Sequence, residues 1–260
     1  MLTVERHQYI LNKLYHVQAV TVQELVEELG HSESTIRRDL RQLEEQNQLV
    51  RVHGGAKRLR KTVSEASMEE KSVKNSQEKK RIATYASTLI KDKEVIFLDA
   101  GTTTYEMIPF LKGKDITVVT NGVPHALSLS EHRIPTILIG GRIKQNTRAI
   151  IGPIAEKQLE QFHFSKAFLG MNGVDLTYGL TTTDVEEASI KNKAMNQANQ
   201  SFVLADHSKL KEVSAVKVAD IDDGILITET LSKEFKEFKE VTRVMEVTTH
   251  DLHSHTKPVN

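Results

Sequence analysis

Six short apolar runs recur between residues 95 and 228, and each is rich in β-branched side chains and ends at small or polar residues. In chain order they are VIFLDAG, ITVVTNG, TILIGG, KAFLGMNG, SFVLADHS and GILIT. Runs of this length suit strands that are buried on both faces of a sheet, and segments of helical pattern lie between several of them. The pattern predicts an α/β domain with a largely parallel sheet over residues 78–250.

The residues that follow these runs are the first candidates for a binding site, because ligands of open parallel sheets bind at the carboxyl ends of the strands. The loops there are DAGTTT, TNG, GGR, MNG and DHSK. In DAGTTT, a glycine and three threonines open a helical segment. The backbone N–H groups and hydroxyls of such a turn favour an anion, and Lys209 in DHSK would add a cation. The alternative is that these residues serve only as turn and cap residues.

Residues 1–60 show a different organisation, which begins with three helical segments. Apolar residues at helical spacing predict one helix from Val4 to about Tyr15 and a second that begins at Thr21. Thr21 and Glu24 fit a capping box, in which each side chain bonds to the backbone N–H of the other. A third helix is predicted after Ser32, a residue type that commonly caps helices.

The third helix, which contains SESTIRRDL, has a polar face opposite its apolar face. At about 100° per residue, Ile36, Leu40 and Leu43 share one sector. This arrangement is typical of a helix-turn-helix, whose second helix enters the major groove of DNA. The alternative is an ordinary exposed helix face. The candidates for DNA contact on this helix are Ser34, Thr35, Arg37, Arg38 and Arg41.

A basic hairpin is predicted directly after this helix. Apolar and polar residues alternate in LVRVHGGAKRL around two adjacent glycines, which is the pattern of a β-hairpin. Residues 51–61 contain five Lys or Arg residues and no acid. A charge run is usually a solvated face, but beside the arginine helix this one indicates a wing that contacts DNA. Its candidate residues are Arg51, His53, Lys57 and Arg58.

The composition of the chain excludes several classes of protein. It has 260 residues and no cysteine, so disulfides and thiolate chemistry are excluded. No apolar run reaches the roughly 18 residues of a membrane span, and the N-terminus lacks the apolar region of a signal peptide. We therefore expect a cytoplasmic protein without a membrane partner. The balance of 35 cationic and 35 acidic residues argues against general DNA compaction.

Two polar segments are not assigned to either domain. Residues 61–77 lack clear apolar periodicity, and we predict a partly ordered linker there. Residues 251–260 are predicted to be a tail. Three histidines lie within HDLHSH, from 250 to 255, but no helix or strand fixes their geometry, so we expect neither a metal nor a cofactor.

The segment SESTIRRDLRQLEEQNQLVRVHGGA and the order of the two domains resemble the DeoR family of bacterial transcriptional regulators. The resemblance implies a winged helix-turn-helix at residues 1–60, followed by a sensor domain that is similar to the ribose-5-phosphate isomerase superfamily and binds phosphorylated sugars. Within the family, MLTVERHQYIL and GLTTTDVEEASIKNKA are similar to the fructose operon repressors of Gram-positive bacteria. The lactose phosphotransferase repressors, which answer to tagatose 6-phosphate, are the alternative subgroup.

The same resemblance implies which residues contact the sugar phosphate. Lys209 would supply a cation, and Asp184 and Glu187 would approach the sugar hydroxyls. Asp184 and Glu187 have an alternative role in capping the helix that follows, because Thr183 and Glu186 fit a capping box. The residues that would hold the phosphate are Gly101, Thr102, Thr103 and Thr104. The residues that would line the rest of the pocket are Asp99, Thr120, Asn121, Gly140 and Gly141.

Two classes of function explain the second domain, namely a regulator and a sugar-phosphate isomerase-like enzyme. Only a regulator also explains the arginine helix and the basic hairpin. A catalytic site would need a paired acid and base, and nothing in the sequence pairs two of the candidate acids Asp99, Asp184, Glu187 and Asp206. We therefore predict a repressor without enzymatic activity, which binds double-stranded operator DNA as a homodimer or tetramer. A sugar phosphate such as fructose 1-phosphate would release it.

Overall fold

A computed structural model describes residues 2–17, 19–46, 48–58 and 67–248 of the chain. Residues 1–62 and 63–260 form two compact units. The predicted tail at 251–260 and the three histidines between 250 and 255 lie outside the described residues. No helix in the described ranges is both long enough and apolar enough to cross a bilayer.

The first unit combines three helices with a small antiparallel sheet. The strands lie in the order β1-β3-β2, and β2 and β3 form the predicted hairpin. A capping box at Thr21 begins the second helix, as the sequence predicts, and Gly30, left-handed at φ 65°, ends it. The elements are α1 (Thr3–His16), β1 (Ala19–Thr21), α2 (Val22–Leu29), α3 (Glu33–Glu45), β2 (Leu49–Val52) and β3 (Gly55–Arg58).

The core of the first unit lies between the helices and the hairpin. Apolar side chains of α1, α2 and α3 meet there, and they are joined by residues from the sheet. Gly55 is required at the start of β3, because a Cβ atom there would lie 2.0 Å from the carbonyl oxygen of Val20. The predicted winged helix-turn-helix is confirmed. The largest buried side chains of this core are Ile10, Leu14, Leu25, Ile36, Leu40, Leu43 and Leu49.

A seven-stranded sheet forms the centre of the second unit. All of its neighbouring strands are parallel, so the predicted α/β class is confirmed. The strand order is β15-β14-β12-β9-β4-β5-β6. The strands are β4 (Val95–Leu98), β5 (Thr117–Thr120), β6 (Thr136–Leu138), β9 (Lys166–Gly170), β12 (Ser201–Leu204), β14 (Ile225–Glu229) and β15 (Val244–Val247).

Helices and two small sheets complete the second unit. The helices are α4 (Met68–Val73), α5 (Ser76–Thr88), α6 (Thr102–Tyr105), α7 (Val123–Glu131), α8 (Pro153–Leu159), α9 (Val185–Asn196) and α10 (Phe238–Val241). A hairpin consists of β7 (Arg142–Ile143) and β8 (Ile150–Ile151), and an antiparallel sheet consists of β10 (Gly173–Asp175), β11 (Gly179–Thr182) and β13 (Val216–Ala219). The main core lies where α5 and the turns after β4 and β5 cover the sheet.

The second half of the predicted linker is folded rather than extended. Ser67 caps α4 through a capping box with Glu70, and α5 begins at Ser76. Glu69 of α4 pairs with Arg148 at 2.5 Å. The sequence pattern did not indicate α4 because none of its residues is buried, so it carries no apolar stripe. Polar contacts and a cap fix this helix instead.

Candidate functional site

The polar face of α3 carries the predicted DNA-contacting residues. Ser34, Arg37, Arg38 and Arg41 are exposed, and Thr35 is half-buried beside the N-cap Ser32, which accepts its backbone N–H at 3.3 Å. Arg37 is bound to Glu33 at 2.6 Å. Arg38 and Arg41 form no hydrogen bond or ion pair with any described residue. These two arginines are therefore the ones available to a phosphate or a guanine.

The hairpin formed by β2 and β3 presents a second set of cationic groups. His53 and Lys57 are exposed and have no protein partner within the described ranges. Arg51 lies close to α3, because its backbone N–H donates to Glu44 at 2.9 Å and its guanidinium lies 3.7 Å from the same carboxylate. The side chain of Arg58 lies outside the described part of the chain. His53 and Lys57 therefore present the clearest surface for DNA.

A buried carboxylate that the sequence analysis missed joins α1 to α3. Asp39 accepts hydrogen bonds from Arg6 at 2.6 and 2.9 Å and lies 3.1 Å from the Nε2 atom of His7. Burial alone would favour the neutral acid, but the hydrogen bonds from Arg6 and His7 hold the pKa of Asp39 below its ordinary value. The signal in the sequence was an aspartate next to the apolar sector of α3. Its pairing sets how the recognition helix is held.

The GTTT turn opens α6 at the carboxyl end of β4, but its three threonines differ in role. The hydroxyl of Thr104 is buried, and it lies within hydrogen-bond distance of two backbone carbonyl oxygens of the turn, those of Asp99 at 2.6 Å and Gly101 at 2.8 Å. The hydroxyl of Thr104 thus braces the turn, and contact of Thr104 with a ligand stays a prediction. The hydroxyls of Thr102 and Thr103 have no hydrogen-bond partner among the described residues. They remain available to a ligand.

The predicted pocket residues after β5 and β6 brace the loops instead of presenting free side chains. Thr120 donates to the Leu98 carbonyl at 2.6 Å, and the amide of Asn121 accepts from Ala100 at 3.1 Å. The backbone N–H of Gly140 donates to Gln158 at 2.6 Å, and Gly141 packs against β8. These hydrogen bonds occupy groups that the sequence analysis assigned to the sugar. Their contact with a sugar stays a prediction.

A cluster of cations lies beside the GTTT turn, around the buried Asp206. Lys79 is only 4% exposed, and its ammonium donates to the backbone carbonyl of Lys71. Lys209 is half-buried, and its ammonium makes no hydrogen bond or ion pair within the described ranges. Burial lowers the pKa of both Lys79 and Lys209. Because α4 and α5 both contact α6, the cluster adjoins the turn.

Asp206 is the acid that both lysines share, and Glu106 near Lys79 and Glu212 near Lys209 add further negative charge. Asp206 accepts from Asn75 at 2.7 Å and from the Ser208 hydroxyl at 2.5 Å. Burial raises the pKa of Asp206, but the bonds from Ser208 and Asn75 outweigh that effect and keep it below the ordinary value. The sequence analysis identified Lys209 and missed Lys79. The available signal was a lysine that shares the apolar stripe of α5 with Ile82.

The carboxylate of Asp99, directly after β4, forms an ion pair inside the protein. Lys191 of α9 donates to its carboxylate and, at 2.9 Å, to the Gly170 carbonyl. The Gly170 N–H donates to the same carboxylate oxygen at 3.1 Å. Asp99 and Lys191 are both buried, so this pair fixes α9 to the carboxyl edge of the sheet. Sequence reasoning missed Lys191.

The predicted acids of α9 cap the helix and hold the β7–β8 hairpin. Asp184 accepts the N–H groups at the start of α9 at 2.9 and 3.0 Å, so its capping role is observed. Lys144 lies 3.3 Å from Asp184 and 3.4 Å from Glu187. Glu187 also accepts from the Thr147 hydroxyl at 2.6 Å. Any contact of these acids with a sugar would have to be made alongside the contacts to the hairpin.

His125 of α7 supports the GTTT turn from the inside. Its Nε2 atom lies 3.1 Å from the carbonyl oxygen of Gly101, so that nitrogen carries the proton, and its Nδ1 atom is buried without a partner. Burial lowers its pKa to about 4. Among the described residues, no group of three or more His, Asp or Glu side chains is placed to hold a metal ion.

The comparisons with known proteins agree with this division of the chain. A model of the DeoR-like helix-turn-helix domain matches residues 6–62, and a model of the DeoR C terminal sensor domain matches residues 74–230. The "Uncharacterized HTH-type transcriptional regulator FruR" of Bacillus subtilis is 48% identical over 229 residues, which cover 88% of this chain and 91% of that protein.

Two further relatives and one solved structure are also similar to this chain. The HTH-type transcriptional regulator GlpR of Haloferax volcanii is 36% identical and covers 91% of this chain and 94% of its own. The Lactose phosphotransferase system repressor of Lactococcus lactis is 37% identical, with 78% and 82% covered. The ribose 5-phosphate isomerase A of Methanocaldococcus jannaschii is 22% identical with a TM-score of 0.40, and 52% of this chain and 55% of that chain are covered.

These relatives in sequence are transcriptional regulators and not enzymes, and the sensor model alone matches more than half of the chain. The protein belongs to the DeoR family of transcriptional regulators.

Proposed function

We propose that the protein represses a sugar-utilisation operon and that fructose 1-phosphate releases it from the operator. The fructose assignment is supported by the 48% identity to the relative named FruR and by the GLTTTDVEEASIKNKA segment. Tagatose 6-phosphate is the alternative, supported by the 37% identity to the Lactose phosphotransferase system repressor. A regulator that binds operator DNA acts in the cytoplasm, which is the location that we propose.

The observation that carries the effector proposal is the excess of buried cation beside the GTTT turn. Lys79 and Lys209 are desolvated, which costs free energy unless an anion compensates them. Asp206, Glu106 and Glu212 supply negative charge nearby, but neither lysine ammonium forms an ion pair with a carboxylate of the described residues. A phosphate monoester carries close to two negative charges near neutral pH. It would compensate the two lysines.

The turn offers the remaining groups that a phosphate needs. The hydroxyls of Thr102 and Thr103 are free to donate, and backbone N–H groups open α6 at the same place. A phosphate oxygen accepts hydrogen bonds from such groups and forms charge-assisted bonds to lysine. We propose that Thr102, Thr103, Lys79 and Lys209 hold the phosphate. The sugar would extend toward Asp184 and Glu187 on the far side of Asp99.

The first unit supports the DNA half of the proposal. Arg38 and Arg41 lie free on α3, and Lys57 lies free on the hairpin. In a winged helix-turn-helix the recognition helix reads base edges, while cations on the wing bind phosphates. Operator sites for such proteins are two-fold symmetric, so we propose that a homodimer or a tetramer binds double-stranded DNA.

Release of DNA requires that the sugar phosphate bind the DNA-free conformation more tightly than the DNA-bound one. A coupling free energy of roughly 1–3 kcal/mol would weaken operator binding about 5- to 150-fold. The affinity for the sugar phosphate must then fall by the same factor when DNA is bound. This reciprocity is a property of the mechanism that can be measured from either side.

Lys79→Met provides the test, with Lys80→Met as its matched control. Lys80 is the next residue on α5 and is exposed. Calorimetric titration of the full chain with fructose 1-phosphate, tagatose 6-phosphate, fructose and inorganic phosphate should rank fructose 1-phosphate first. Lys79→Met should lose at least about 10-fold in affinity, as expected for removal of a charged hydrogen bond. It should also raise the melting temperature of the ligand-free protein, because a desolvated ammonium is removed.

The two halves of the proposal fail separately. If tagatose 6-phosphate binds more tightly, the sugar assignment is wrong and the regulator remains. If no sugar phosphate binds, or if Lys80→Met loses as much affinity as Lys79→Met, the effector site is misplaced.

A further inference from the structure

Asp206, which follows β12, has one carboxylate oxygen in use and one without a partner. Its Oδ1 atom accepts three hydrogen bonds, from the Asn75 amide at 2.7 Å and from the backbone N–H and the hydroxyl of Ser208 at 3.0 and 2.5 Å. Its Oδ2 atom accepts none from the residues that the structure describes. Oδ1 therefore holds the loop after β12, and Oδ2 is left for another task.

The Oδ2 atom is open to a ligand, although Asp206 as a whole is only 1% exposed. A carboxylate oxygen that is enclosed without a partner costs free energy and is rare in proteins. In the described ranges, the fully enclosed side-chain atoms without a partner belong to other residues, namely Arg81, His125 and Thr183. Solvent therefore reaches Oδ2 through a narrow opening. Because Asp206 follows β12, this opening lies at the carboxyl edge of the sheet.

Asp206 lies beside the two lysines of the proposed phosphate site. Asn75, which binds its carboxylate, is the N-cap of α5, and Lys79 lies one helical turn further along α5. Lys209 donates its backbone N–H to the Asp206 carbonyl at 2.9 Å. The charge of Asp206 acts on both ammonium groups. A ligand whose phosphate reaches the lysines therefore has its neighbouring atoms close to this carboxylate.

The charge of Asp206 decides which ligand group Oδ2 can bind. Burial raises the pKa of Asp206, but the hydrogen bonds from Ser208 and Asn75 keep it below its ordinary value. Asp206 is thus ionised near neutral pH, and its oxygens can only accept hydrogen bonds. A phosphate dianion has no proton to donate, so it cannot satisfy Oδ2. The partner must be a hydroxyl of the sugar, near enough to the phosphate to be reached together with it.

We propose that Oδ2 of Asp206 accepts the sugar hydroxyl on the carbon next to the phosphorylated carbon, and thereby selects ketose 1-phosphates over ketose 6-phosphates. In a ketose 1-phosphate the neighbouring carbon is C2, which carries the anomeric hydroxyl in both ring forms. A ketose 6-phosphate closes its ring through the oxygen on C5, so the carbon next to its phosphate carries no hydroxyl. The inference rests on the proposed function, which places the phosphate at Lys79 and Lys209.

Two effects make this selection strong. A hydrogen bond to a charged group corresponds to roughly 10- to 100-fold in affinity. A ligand that lacks the hydroxyl also leaves Oδ2 unpaired beside a phosphate of the same charge sign, which disfavours both groups. Asp206 is therefore a specificity-determining residue of the effector site, in addition to its role in holding the loop after β12.

A comparison of two ligands on the unaltered full chain tests the proposal without any variant. Fructose 1-phosphate in its β-furanose form and 2,5-anhydro-D-mannitol 1-phosphate share the ring, the phosphate and the other hydroxyls. They differ at C2, where a hydrogen replaces the hydroxyl in the second compound. Calorimetric titration should show that the second compound binds at least about tenfold more weakly. Equal affinities would overturn the proposal.

Asp206→Asn assigns the effect to this carboxylate. The donors from Asn75 and Ser208 hold the amide oxygen at the position of Oδ1, so the amide nitrogen takes the place of Oδ2 and the charge is lost. The affinity for fructose 1-phosphate should fall, whereas that for 2,5-anhydro-D-mannitol 1-phosphate should hold or rise, because a negative charge beside the phosphate is removed. The ratio of the two affinities should shrink at least about fivefold. Asp222→Asn, at an exposed position, is the matched control and should keep the wild-type ratio.

The outcomes separate this inference from the proposed function. If Asp206→Asn also keeps the wild-type ratio, another group binds the hydroxyl and the inference is wrong. If the wild type binds both phosphates equally well, the inference fails and the effector site stands. If the wild type binds no sugar phosphate, the proposed effector site fails and this inference fails with it.

Discussion

Arg6 of α1 binds the carboxylate of Asp39 through two of its nitrogens, at 2.6 and 2.9 Å, although Asp39 lies on the recognition helix itself. Both side chains are buried. A buried ion pair contributes little net stability compared with apolar residues, but removal of one partner leaves an uncompensated charge. The pair therefore ties the position of α3 to α1 more strictly than apolar packing alone would.

Asp39→Asn should destabilise the first unit by roughly 3 kcal/mol at pH 7, the scale for breaking a buried ion pair. The folded-state pKa of Asp39 is depressed, so its contribution is present above the unfolded pKa of about 3.9 and is lost as pH falls through the folded value. Urea unfolding should give a higher free energy of unfolding for the wild type than for the variant at pH 7, and the two values should converge as the pH falls below 4. Glu45→Gln, at an exposed position on the same helix, is the control and should change little. A difference that persists in acid would exclude the ion pair as its cause.

Arg38 and Arg37 are adjacent on α3, but they should contribute unequally to operator binding. Arg37 is engaged by Glu33, whereas Arg38 is free. Arg38→Ala should weaken operator binding by about 1–3 kcal/mol and relax base preference, while Arg37→Ala should cost clearly less. Fluorescence anisotropy measures both losses. Equal losses for the two arginines would show that Glu33 releases Arg37 when DNA binds.

Lys57→Ala on the wing should lower the slope of log affinity against log salt concentration by about one and should weaken binding to all DNA sequences alike. Fluorescence anisotropy over a salt series measures this slope.

His125 should make the second unit sensitive to mild acid. Burial lowers its folded pKa to about 4, against roughly 6.5 in the unfolded chain, while Asp99 and the Gly101 carbonyl partly oppose that shift. As pH drops, the unfolded state takes up a proton on this histidine before the folded state does. The free energy of unfolding should therefore fall by up to roughly 3 kcal/mol between pH 6.5 and about 4. Thermal unfolding of His125→Gln should show a flatter pH dependence over this window. His163→Gln, at an exposed position, should retain the wild-type slope. If His125→Gln also keeps the wild-type dependence of melting temperature on pH, other titrating groups cause that dependence.

The sequence predicted the parts of this protein whose residues form a local pattern. Apolar runs correspond to six of the seven strands of the parallel sheet, and capping residues marked α2 and α3. β15 was missed because its residues are only half-buried and it carries Glu246 among its apolar residues. The helix α4 was missed because it buries nothing. Both elements are fixed by contacts distant in sequence, which periodicity does not report.

The candidate effector site was predicted in its loops but not in its charges. Lys209 and the GTTT turn follow strands, so the topology of a parallel sheet identified them. Lys79 and Lys191 lie on helices, and only the fold shows that Lys79 approaches Asp206 and that Lys191 binds Asp99. Only the structure shows that the hydroxyl of Thr104 donates to the backbone carbonyl of Asp99 within its own turn.

The hairpin of β7 and β8 contacts both α9 and α4, and this connection leads to a prediction about regulation. Thr147 and Lys144 hold the hairpin to Glu187 of α9. At the same hairpin, Arg148 binds Glu69 of α4 at 2.5 Å. In the sequence, α4 is the first described element after residues 59–66, which lead from the DNA-binding unit. A ligand that contacts either α9 or the lysines near α4 would therefore change how α4 is held.

Glu69→Arg should reduce the effect of fructose 1-phosphate on operator affinity, because it replaces an attraction at α4 by a repulsion. Exposed ion pairs contribute little, so the ratio of operator affinities without and with ligand should shrink by only roughly two- to fivefold. The charge exchange Glu69→Arg with Arg148→Glu should restore most of the ratio, which a general loss of stability would not do. Asp220→Lys, which breaks the exposed pair with Lys217 on β13, serves as the control and should leave the ratio unchanged. Operator anisotropy titrations with and without saturating ligand measure the ratio. A wild-type ratio in Glu69→Arg would show that α4 is not part of the coupling.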